Sequence, residues 1–393
     1  MDLTPLDELA RRPGMPELLA ALGPGNARFV GGAVRDRLLG IAVQDIDLAT
    51  TLSPYEVMRR CGAAAIRTVP TGIEHGTVTA LVDGRPVEIT SLRADVSTDG
   101  RRATVAFSDD WRTDAERRDF TLNALYWDPC SGLLDDWFGG LDDLAAGVVR
   151  FIGEPLRRIA EDHLRILRFF RFHARFGRGE PDPSSLAACA VRANDLMALS
   201  RERIADELLK ILALPDPAPT IAQMIDQAIW RAVLPEFDHS GSARLAALVA
   251  SEIAAAVAPD PLRRLAALIA PDPGLADKIA FRLKLSNKRR KRLGIAASWK
   301  DTPGPARKLA YQIGSEGAID RLLLGGDIPA ARDLASWEVP RLALGGGELI
   351  RRGLVPGPGV AAMLRQIEQS WVDEGFPNEK RLAQLVDEAL AAH

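Results

Sequence analysis

The spacing of apolar residues changes once along this chain, near residue 145. Before that point, short apolar runs alternate with polar or glycine-containing turns, a pattern typical of strands. Residues 76–82 and 86–92 are the clearest pair, and the turn Asp83-Gly84-Arg85 between them predicts a hairpin. After residue 145, apolar residues recur at helical spacing to the end of the chain. The pattern therefore predicts an α/β first portion followed by an all-α remainder.

The strongest motif of the first portion is predicted as a strand, a glycine turn, a short helix and a second strand that carries Asp45 and Asp47. Alternate residues of a strand share a face, so these two carboxylates point the same way and repel each other unless a cation lies between them. Gly31-Gly32 before a helix lets backbone N–H groups approach an anion, and Arg35 adds positive charge. Each half alone also fits a solvated strand or a tight turn. Together they indicate a site for a metal-bound nucleoside triphosphate.

Three further polar segments of the first portion are candidates for function. Glu88, on the second hairpin strand, is more typical of a surface carboxylate than of a third member of the aspartate site. Residues 93–110 are polar and contain glycine, which predicts a mobile loop, and loops of this length are often lids. A helix predicted after this loop places Asp119 and Asn123 on one face, next to Arg118. Such a trio can bind a sugar hydroxyl and a phosphate, although neighbouring arginines are also typical of a solvated surface.

A charged stripe is the most informative feature of the helical portion. Its acids and arginines are spaced to share one face of a helix, and its members are Glu161, Asp162, Arg165, Arg168 and Arg171. A stripe of this kind is usually solvated. However, an acidic acceptor beside a forked guanidinium donor complements the Watson–Crick edge of a base, and further arginines suit a triphosphate.

A basic segment at residues 282–292 is the densest cluster of positive charge in the chain. It suits a nucleic-acid phosphate backbone, and a solvated helix start capped by Ser286 explains it equally well. The proline-rich run at residues 214–219 precedes it and predicts a break between domains. The candidate RNA-binding residues of the segment are Lys284, Lys288, Arg289, Arg290, Lys291 and Arg292.

Composition limits the classes of protein to which this chain can belong. Its 393 residues suit several domains, and 50 basic against 53 acidic residues give a formal net charge of −3, so any nucleic-acid surface must be local. Neither the three cysteines nor the five histidines follow a disulfide or metal pattern. Without a signal peptide or an apolar run long enough to span a membrane, a cytoplasmic protein with no membrane partner is expected. No protein partner is evident.

Three motifs of this chain occur together in one known family. They are Gly31-Gly32-x-Val34-Arg35-Asp36 with Asp45-x-Asp47, then Arg117-Arg118-Asp119-Phe120-Thr121-x-Asn123-Ala124, then Glu161-Asp162-x-x-Arg165-x-x-Arg168. In order and spacing they resemble the motifs of the class II tRNA nucleotidyltransferases, the bacterial-type CCA-adding enzymes, whose close relatives are bacterial poly(A) polymerases. The resemblance covers residues 25–210 well and the C-terminal part weakly.

The resemblance implies an α+β fold with a defined domain order. A catalytic nucleotidyltransferase head, with a small mixed β-sheet and helices, is followed by an all-α neck for base recognition, a body and a tRNA-binding tail in a seahorse-like shape. The expected boundaries are 1–144 for the head, 145–214 for the neck, 215–300 for the body and 301–393 for the tail.

The same resemblance implies a role for each motif. In the family, the paired aspartates hold Mg²⁺, the glycine pair and arginine contact the triphosphate, the second motif selects ribose, and the third pairs with cytosine or adenine as a protein template. The loop at residues 93–110 falls where the family has a flexible element that helps to switch from CTP to ATP. The matching residues are Asp45 and Asp47 for the metal and catalysis, Gly31, Gly32 and Arg35 for the triphosphate, Arg118, Asp119 and Asn123 for the ribose, Glu161, Asp162 and Arg165 for the base, and Arg168 and Arg171 as further nucleotide contacts.

The implied function is addition of CCA to the 3′ end of tRNA from CTP and ATP at a two-metal Mg²⁺ site, with release of pyrophosphate. A poly(A) polymerase shares all three motifs, although residues 72–79 resemble the CCA-adding version of that strand. Enzymes that add only CC or only A are further alternatives. A non-catalytic RNA-binding protein with this fold is the alternative from another class, and the intact Asp45, Asp47 and Arg118 argue against it.

Overall fold

The computed structural model describes residues 2–98, 103–302 and 304–392. The chain forms two compact units. The first comprises Met1–Glu207 with Asp226–Val233, and the second comprises Leu208–Ile225 with Leu234–His393. The division into head, neck, body and tail stays a prediction.

The first unit is built on two β-sheets. In chain order the strands are β1 (Ala27–Val30), β2 (Ile46–Thr50), β3 (Thr68–Gly72), β4 (Thr77–Val82), β5 (Arg85–Ser91), β6 (Arg93–Thr98), β7 (Ala103–Phe107), β8 (Tyr126–Trp127) and β9 (Leu134–Asp135). The main sheet has the order β3-β4-β5-β2-β1-β8-β9, and β6 pairs with β7 in a separate sheet. Strands β2 and β5 are parallel, while β4 and β5 form the predicted antiparallel hairpin. The sheet is therefore mixed, as expected.

The other regular elements of the described chain are helices, and no strand follows residue 145 in that part of it. The prediction of an all-α remainder is thus confirmed there. The α-helices are α1 (Asp7–Ala10), α2 (Met15–Leu22), α3 (Gly32–Leu38), α4 (Pro54–Ala63), α5 (Trp111–Glu116), α6 (Gly140–Ala146), α7 (Pro155–Glu161), α8 (Arg165–Phe176), α9 (Pro183–Val191), α10 (Arg201–Leu212), α11 (Ala218–Asp226), α12 (His239–Ala255), α13 (Pro261–Leu268), α14 (Pro273–Arg282), α15 (Asn287–Ala296), α16 (Ala306–Ile313), α17 (Ser315–Gly325), α18 (Ile328–Ala335), α19 (Gly346–Arg351), α20 (Pro358–Asp373) and α21 (Glu379–Ala391).

Apolar clusters hold these elements in place. In the first unit, one cluster joins Val30 of β1, Ala49 of β2 and Tyr126 of β8 with Leu92. A second cluster is aromatic: the ring of Phe120 lies 5.0 Å from that of Phe151 and 5.1 Å from that of Phe172 on α8. Burial of such rings contributes strongly to stability. The aromatic cluster fixes α8 against the segment that contains the second motif.

Residues 93–110 do not form the loop that was predicted. Most of the segment forms β6 and β7, paired from Arg93 opposite Phe107 to Thr98 opposite Ala103. Backbone pairing satisfies the N–H and C=O groups that a loop leaves to water, which offsets the polar character of the segment. The Asp99-Gly100-Arg101-Arg102 sequence at its centre lies outside the described residues.

The prediction of a helix across residues 119–123 is also wrong. Helix α5 ends at Glu116, and Thr121–Asn123 is a single 3-10 turn. Between them the chain turns and bends, and Phe120 is extended and forms a bridge with Phe151. Backbone bonds to this neighbouring segment replace helical ones: Thr121 N donates to Arg150 O at 3.2 Å, and Ile152 N donates to Asp119 O at 3.1 Å. The expected pairing of Asp119 with Asn123 is made nonetheless, at 2.9 Å.

The charged stripe lies on two helices rather than one. Helix α7 ends at Glu161 and α8 begins at Arg165, with Asp162 in an extended conformation between them. The Asp162 carboxylate accepts a hydrogen bond from Leu164 N at 3.1 Å. Such local bonding competes with the helical pattern and explains the break.

Candidate active site

A polar cavity of about 500 Å³ lies in the first unit, beside the parallel strands β2 and β5. The three sequence motifs meet there. The predicted residues that line it are Gly31, Gly32, Arg35, Asp47, Arg118, Asp119, Asn123, Asp162, Arg165, Arg168 and Arg171. The predicted residues Asp45 and Glu161 do not line it.

The aspartate pair is split by its position relative to β2. Asp47 is half-buried within the strand, whereas Asp45 is exposed just before it. Glu88 of β5 is the register partner of Asp47 and lines the same cavity. Burial raises the pKa of the Asp47 carboxyl, and the negative charges of Glu88 and Asp45 raise it further, against the opposing charge of Arg118. The cavity therefore has a strand edge at which negative charges are held together, the condition that binding of a cation relieves.

The glycine turn between β1 and α3 brings the backbone close to an arginine. Gly31 has φ 61°, in the region that favours glycine, and a Cβ there would lie 3.0 Å from Nη1 of Arg118. The next residue, Gly32, is the first of α3. Any other residue at position 31 would be strained, and its Cβ would crowd the Arg118 guanidinium.

Arg35 projects from α3 and is almost fully buried. Its Nε donates to Asp36 Oδ1 at 2.7 Å, and its Nη1 donates to the side chain of Asn123. Its guanidinium lies 4.2 Å from the ring centroid of Phe176 and 5.2 Å from that of Phe172. Burial lowers the pKa of Arg35, against the charge of Asp36. The side chain is held on several sides and presents a fixed positive charge to the cavity.

Asp119 joins the second motif to the third. Its Oδ1 accepts from Asn123 Nδ2 at 2.9 Å, and its Oδ2 accepts from Arg168 Nε on α8 at 2.7 Å. Burial would raise the pKa of Asp119, but the charge of Arg168 and the hydrogen bond from Asn123 lower it below its usual value. Asp119 is consequently an ionised, fully bonded carboxylate that sets the position of Arg168.

Arg165 is held by three acceptors on two segments, α7 and the chain after α5. Its Nη1 donates to Glu161 Oε2 at 2.7 Å and to Arg158 O at 2.8 Å, and its Nη2 donates to Arg117 O at 3.0 Å. Glu161 therefore acts behind the cavity wall, as a support for Arg165. Arg165 itself faces the cavity with a fixed orientation.

Two further ion pairs position the remaining members of the stripe. Asp162 accepts two bonds from Arg203 Nη2 on α10, at 2.8 and 3.0 Å. Arg171 donates to Glu207, which also lies on α10. Both partners belong to the first unit. An acidic acceptor and several arginines of α8 thus converge on the cavity from one side.

Sequence reasoning missed several residues that line the cavity. Glu88 is exposed, as a surface carboxylate would be, yet it lies next to Asp47 because β2 and β5 pair in parallel register. The alternation of side chains along β5 indicates the face of the strand on which Glu88 lies. Only the pairing of β5 with β2 shows that Glu88 is the neighbour of Asp47. The other cavity-lining residues outside the prediction include Thr90, Arg93, Arg117 and Phe172.

The basic segment lies in the second unit, at the start of α15. Ser286 caps this helix, since its Oγ accepts from Arg289 N. Arg290 pairs with Asp277, and Arg292 is bound to Asp320 at 2.8 Å. The candidates that are exposed are Lys284, Lys288, Arg289 and Lys291.

Two kinds of feature are absent from the described ranges. No group of three or more His, Cys, Asp or Glu side chains there is arranged to hold a metal ion. No helix there is both long enough and apolar enough to cross a membrane.

Comparison with known proteins defines the class. A family model described as the poly A polymerase head domain matches residues 27–150. A second model, described as the probable RNA and SrmB-binding site of polymerase A, matches residues 180–240. The first match includes the glycine turn, the aspartate strand and the second motif.

Relatives that match most of the chain define its family more closely. The human mitochondrial CCA tRNA nucleotidyltransferase 1 is 35% identical over 90% of this chain and 84% of its own length. The CCA-adding enzyme of Limosilactobacillus fermentum is 32% identical over 93% of this chain and 94% of its own length. The crystal structure of the Bacillus stearothermophilus CCA-adding enzyme in complex with CTP is similar with a TM-score of 0.75, at 27% identity, over 97% of this chain and 99% of that one. The chain belongs to the class II tRNA nucleotidyltransferases, the family of the CCA-adding enzymes.

Proposed function

We propose that this protein adds CCA to the 3′ end of tRNA, using CTP and ATP and releasing pyrophosphate. One observation carries the proposal: the three motifs form a single polar cavity that has a carboxylate edge and is otherwise rich in arginine. A nucleoside triphosphate needs both, because its phosphates are anionic and the metal that accompanies them is cationic. In the reaction, the tRNA 3′ hydroxyl attacks the α-phosphorus in line, and pyrophosphate leaves.

The carboxylate edge fits Mg²⁺. Asp45 and Asp47 would hold it, while Glu88 beside Asp47 adds negative charge without completing a three-carboxylate cluster with them. Mg²⁺ characteristically takes one or two protein carboxylates and completes its coordination with water and substrate phosphates, so a full cage of protein ligands is not required. When bound, the metal pair supplies activation of the attacking hydroxyl and charge neutralisation on the phosphates.

In this proposal, the first two motifs bind the triphosphate and the ribose. Gly31, Gly32 and Arg35 receive the phosphates, since the turn exposes backbone at the start of α3 and Arg35 is fixed beside it. Arg118 and the Asp119–Asn123 pair also line the cavity, where they select a ribose.

Base selection falls to the third motif. Asp162 offers carboxylate acceptors and Arg165 offers guanidinium donors, the two groups needed to bond to the Watson–Crick edge of cytosine or adenine. Both side chains are held in place by other protein groups rather than by each other. Glu161 has the supporting role, and Arg168 and Arg171 bind further parts of the nucleotide.

In this proposal, the second unit binds the body of the tRNA. We propose the exposed basic residues of α15 as phosphate-binding groups, within an arrangement of head, neck, body and tail at residues 1–144, 145–214, 215–300 and 301–393. The three cysteines are free thiols, which suits a reducing compartment such as the cytoplasm.

The test is to offer tRNA that lacks its last three nucleotides with CTP, ATP or both, and to sequence the products. Products that end in CCA support the proposal. Products that end in CC alone, in a single A or in a long A tail assign one of the other catalytic activities. Absence of incorporation with Mg²⁺ present, from a protein that still binds the tRNA, would instead indicate an RNA-binding protein without catalysis.

A further inference from the structure

Asp114, on α5, is a buried carboxylate that the motifs do not include. Only 1% of its surface is exposed. Its Oδ1 accepts from Arg117 Nε at 2.8 Å and from the backbone N of Arg93 at 3.1 Å. Its Oδ2 accepts from the hydroxyl of Tyr126. One carboxylate therefore binds two residues that line the cavity and the tyrosine behind them.

Tyr126 continues this connection to a third cavity residue. Its side chain is fully buried, and its hydroxyl accepts a hydrogen bond from Arg118 Nε at 2.7 Å while it donates to Asp114. The Arg118 guanidinium also lies 5.0 Å from the ring centroid of Tyr126. The ring is fixed in turn by Trp111 and Trp137, whose centroids lie 6.1 and 5.6 Å away. Arg118 is thus bonded to a hydroxyl that has little freedom to move.

The ionisation states agree with this geometry. Burial would raise the pKa of Asp114, but the charges of Arg117 and Arg118 lower it below its usual value. Burial raises the pKa of the Tyr126 hydroxyl, against the charge of Arg118. Asp114 is consequently a carboxylate that only accepts, and Tyr126 keeps the proton that it donates.

We propose that Asp114 and Tyr126 are positioning residues, which hold Arg117, Arg118 and the start of the β6–β7 hairpin in the arrangement that an incoming nucleotide requires. The inference rests on the proposed function, because it takes the cavity to be the nucleotide site. Neither residue lines the cavity, so each acts through the arginines that do.

The Tyr126 hydroxyl makes none of the bonds that hold the base-selecting group. Arg117 is shared with that group, because Asp114 binds its side chain while its carbonyl oxygen accepts from Arg165. Arg165 is held by Glu161 and by the carbonyl oxygens of Arg158 and Arg117. Loss of the Tyr126 hydroxyl removes the acceptor of Arg118 Nε but none of the acceptors of Arg165. The guanidinium of Arg118 then turns towards Asp114, whose carboxylate is 3.5 Å from its Nη2. Selection of the sugar should therefore weaken while selection of the base stays.

The decisive variant is Tyr126→Phe, measured as kcat and KM for CTP, dCTP and ATP. A hydrogen bond to a charged group is typically worth enough that kcat/KM for CTP should fall about tenfold, mainly through a rise in KM. The ratio of CTP to dCTP use should fall, and the ratio of CTP to ATP use at each step should not change. Tyr311→Phe is the matched control, because it removes a hydroxyl that donates to a carboxylate, Glu368, in the second unit.

A second variant, Asp114→Asn, keeps the shape and removes the charge. Its effect should exceed that of Tyr126→Phe, and the double variant should be no worse than Asp114→Asn, because both act through Arg118. If Asp114→Asn does not fold, as judged by its Tm, Tyr126→Phe decides alone.

The inference is overturned if Tyr126→Phe lowers the use of CTP, dCTP and ATP equally, or lowers only Tm, since either result describes a purely structural residue. Additive effects in the double variant would also contradict it. Failure of the proposed function is distinguishable, because the unmodified protein would then add no CMP to tRNA.

Discussion

Each of the two units contains arginines bonded to buried carboxylates, and the two sets differ in what the arginines leave free. In the second unit, Arg263 and Arg264 share the carboxylate of Glu252, at 2.7 and 2.9 Å. Arg263 also bonds to Asp320, which is fully buried. Arg264 donates a further bond to the carbonyl oxygen of Leu212 at 2.7 Å. These guanidinium groups are surrounded by protein acceptors.

In the first unit, arginines that are paired with carboxylates also line a cavity. Asp119 holds Arg168, Glu161 holds Arg165 and Glu207 holds Arg171, while the arginines face an open cavity. The same kind of ion pair therefore serves two purposes. Where acceptors surround the guanidinium, the pair belongs to the core; where they cover one side, the other side can bind a ligand. A buried pair is weak evidence for either purpose until its free donors are located.

The largest effect is expected at the acidic edge of the cavity. Asp47→Ala removes the half-buried carboxylate proposed to hold the metal, and incorporation of CMP into tRNA should fall by a factor of at least about 10³. The fold should be kept, because Asp47 joins the sheet through its backbone pairing with β5, which alanine preserves. The check is a single-turnover incorporation assay beside a thermal unfolding curve. Normal incorporation by this variant, with its Tm unchanged, would refute the metal role of Asp47.

The ion pairs of Arg263 and Arg264 in the second unit should affect stability rather than nucleotide selection. Arg264→Ala leaves Glu252 buried with one partner fewer, and the free energy of unfolding should fall by about 3–5 kcal/mol. Denaturant unfolding measures this directly. Protein that remains folded should still discriminate CTP from ATP as before, because Arg264 lies outside the unit that contains the cavity. If Arg264→Ala changed the choice between CTP and ATP and left stability unchanged, Arg264 would not be the core residue described above.

A smaller and more selective effect is expected at the base-selecting group. Arg165→Ala removes the guanidinium proposed to bond to the base, so discrimination between CTP and ATP should fall about tenfold or more. Binding of the triphosphate should weaken less, since Arg35 and Arg168 remain. Product sequencing with both nucleotides present measures the discrimination. Unchanged selectivity would count against the template role, and Arg203→Ala, which frees Asp162, offers a matched comparison on the acidic side.

The smallest effect is expected at α15, which carries both exposed and paired basic residues. Charge reversal of Lys288, Arg289 and Lys291 should weaken tRNA binding and lower the slope of log affinity against log salt by about 1 for each tRNA phosphate that the variant no longer binds. The matched control reverses three exposed arginines of the first unit, Arg11, Arg59 and Arg67. An unchanged affinity and slope in the first variant would identify this surface as merely solvated.

Local patterns predicted much of the fold. The β4–β5 hairpin and the helical remainder were predictable because turn chemistry and apolar spacing act over a few residues. The motifs also predicted most of the residues that line the cavity, although Asp45 and Glu161 do not line it. The segments at residues 119–123 and 161–171 were predicted as continuous helices and are not, because distant backbone partners at residues 150–152 and the side chain of Asp162 compete with the helical bonds.

The missed residues share a different cause. Glu88 and Asp47 meet through parallel strand pairing, and Arg93 meets Asp114 across the start of a hairpin that was predicted as a loop. Such meetings depend on strand order, which periodicity along one segment does not contain. For the same reason, Asp114 and Tyr126 carry no sequence signal that separates them from ordinary polar and aromatic residues.

Because β2 and β5 are parallel, Asp47 meets Glu88 only after the intervening residues have returned the chain to the same edge of the sheet. The arginine wall of the cavity comes later still, from Arg165, Arg168 and Arg171 on α8. As the ribosome delivers the chain from its N-terminus, the nucleotide cavity is completed only when α8 has emerged. A product truncated before that helix would carry the aspartates yet lack these three arginines. It would show no nucleotide selection in any assay.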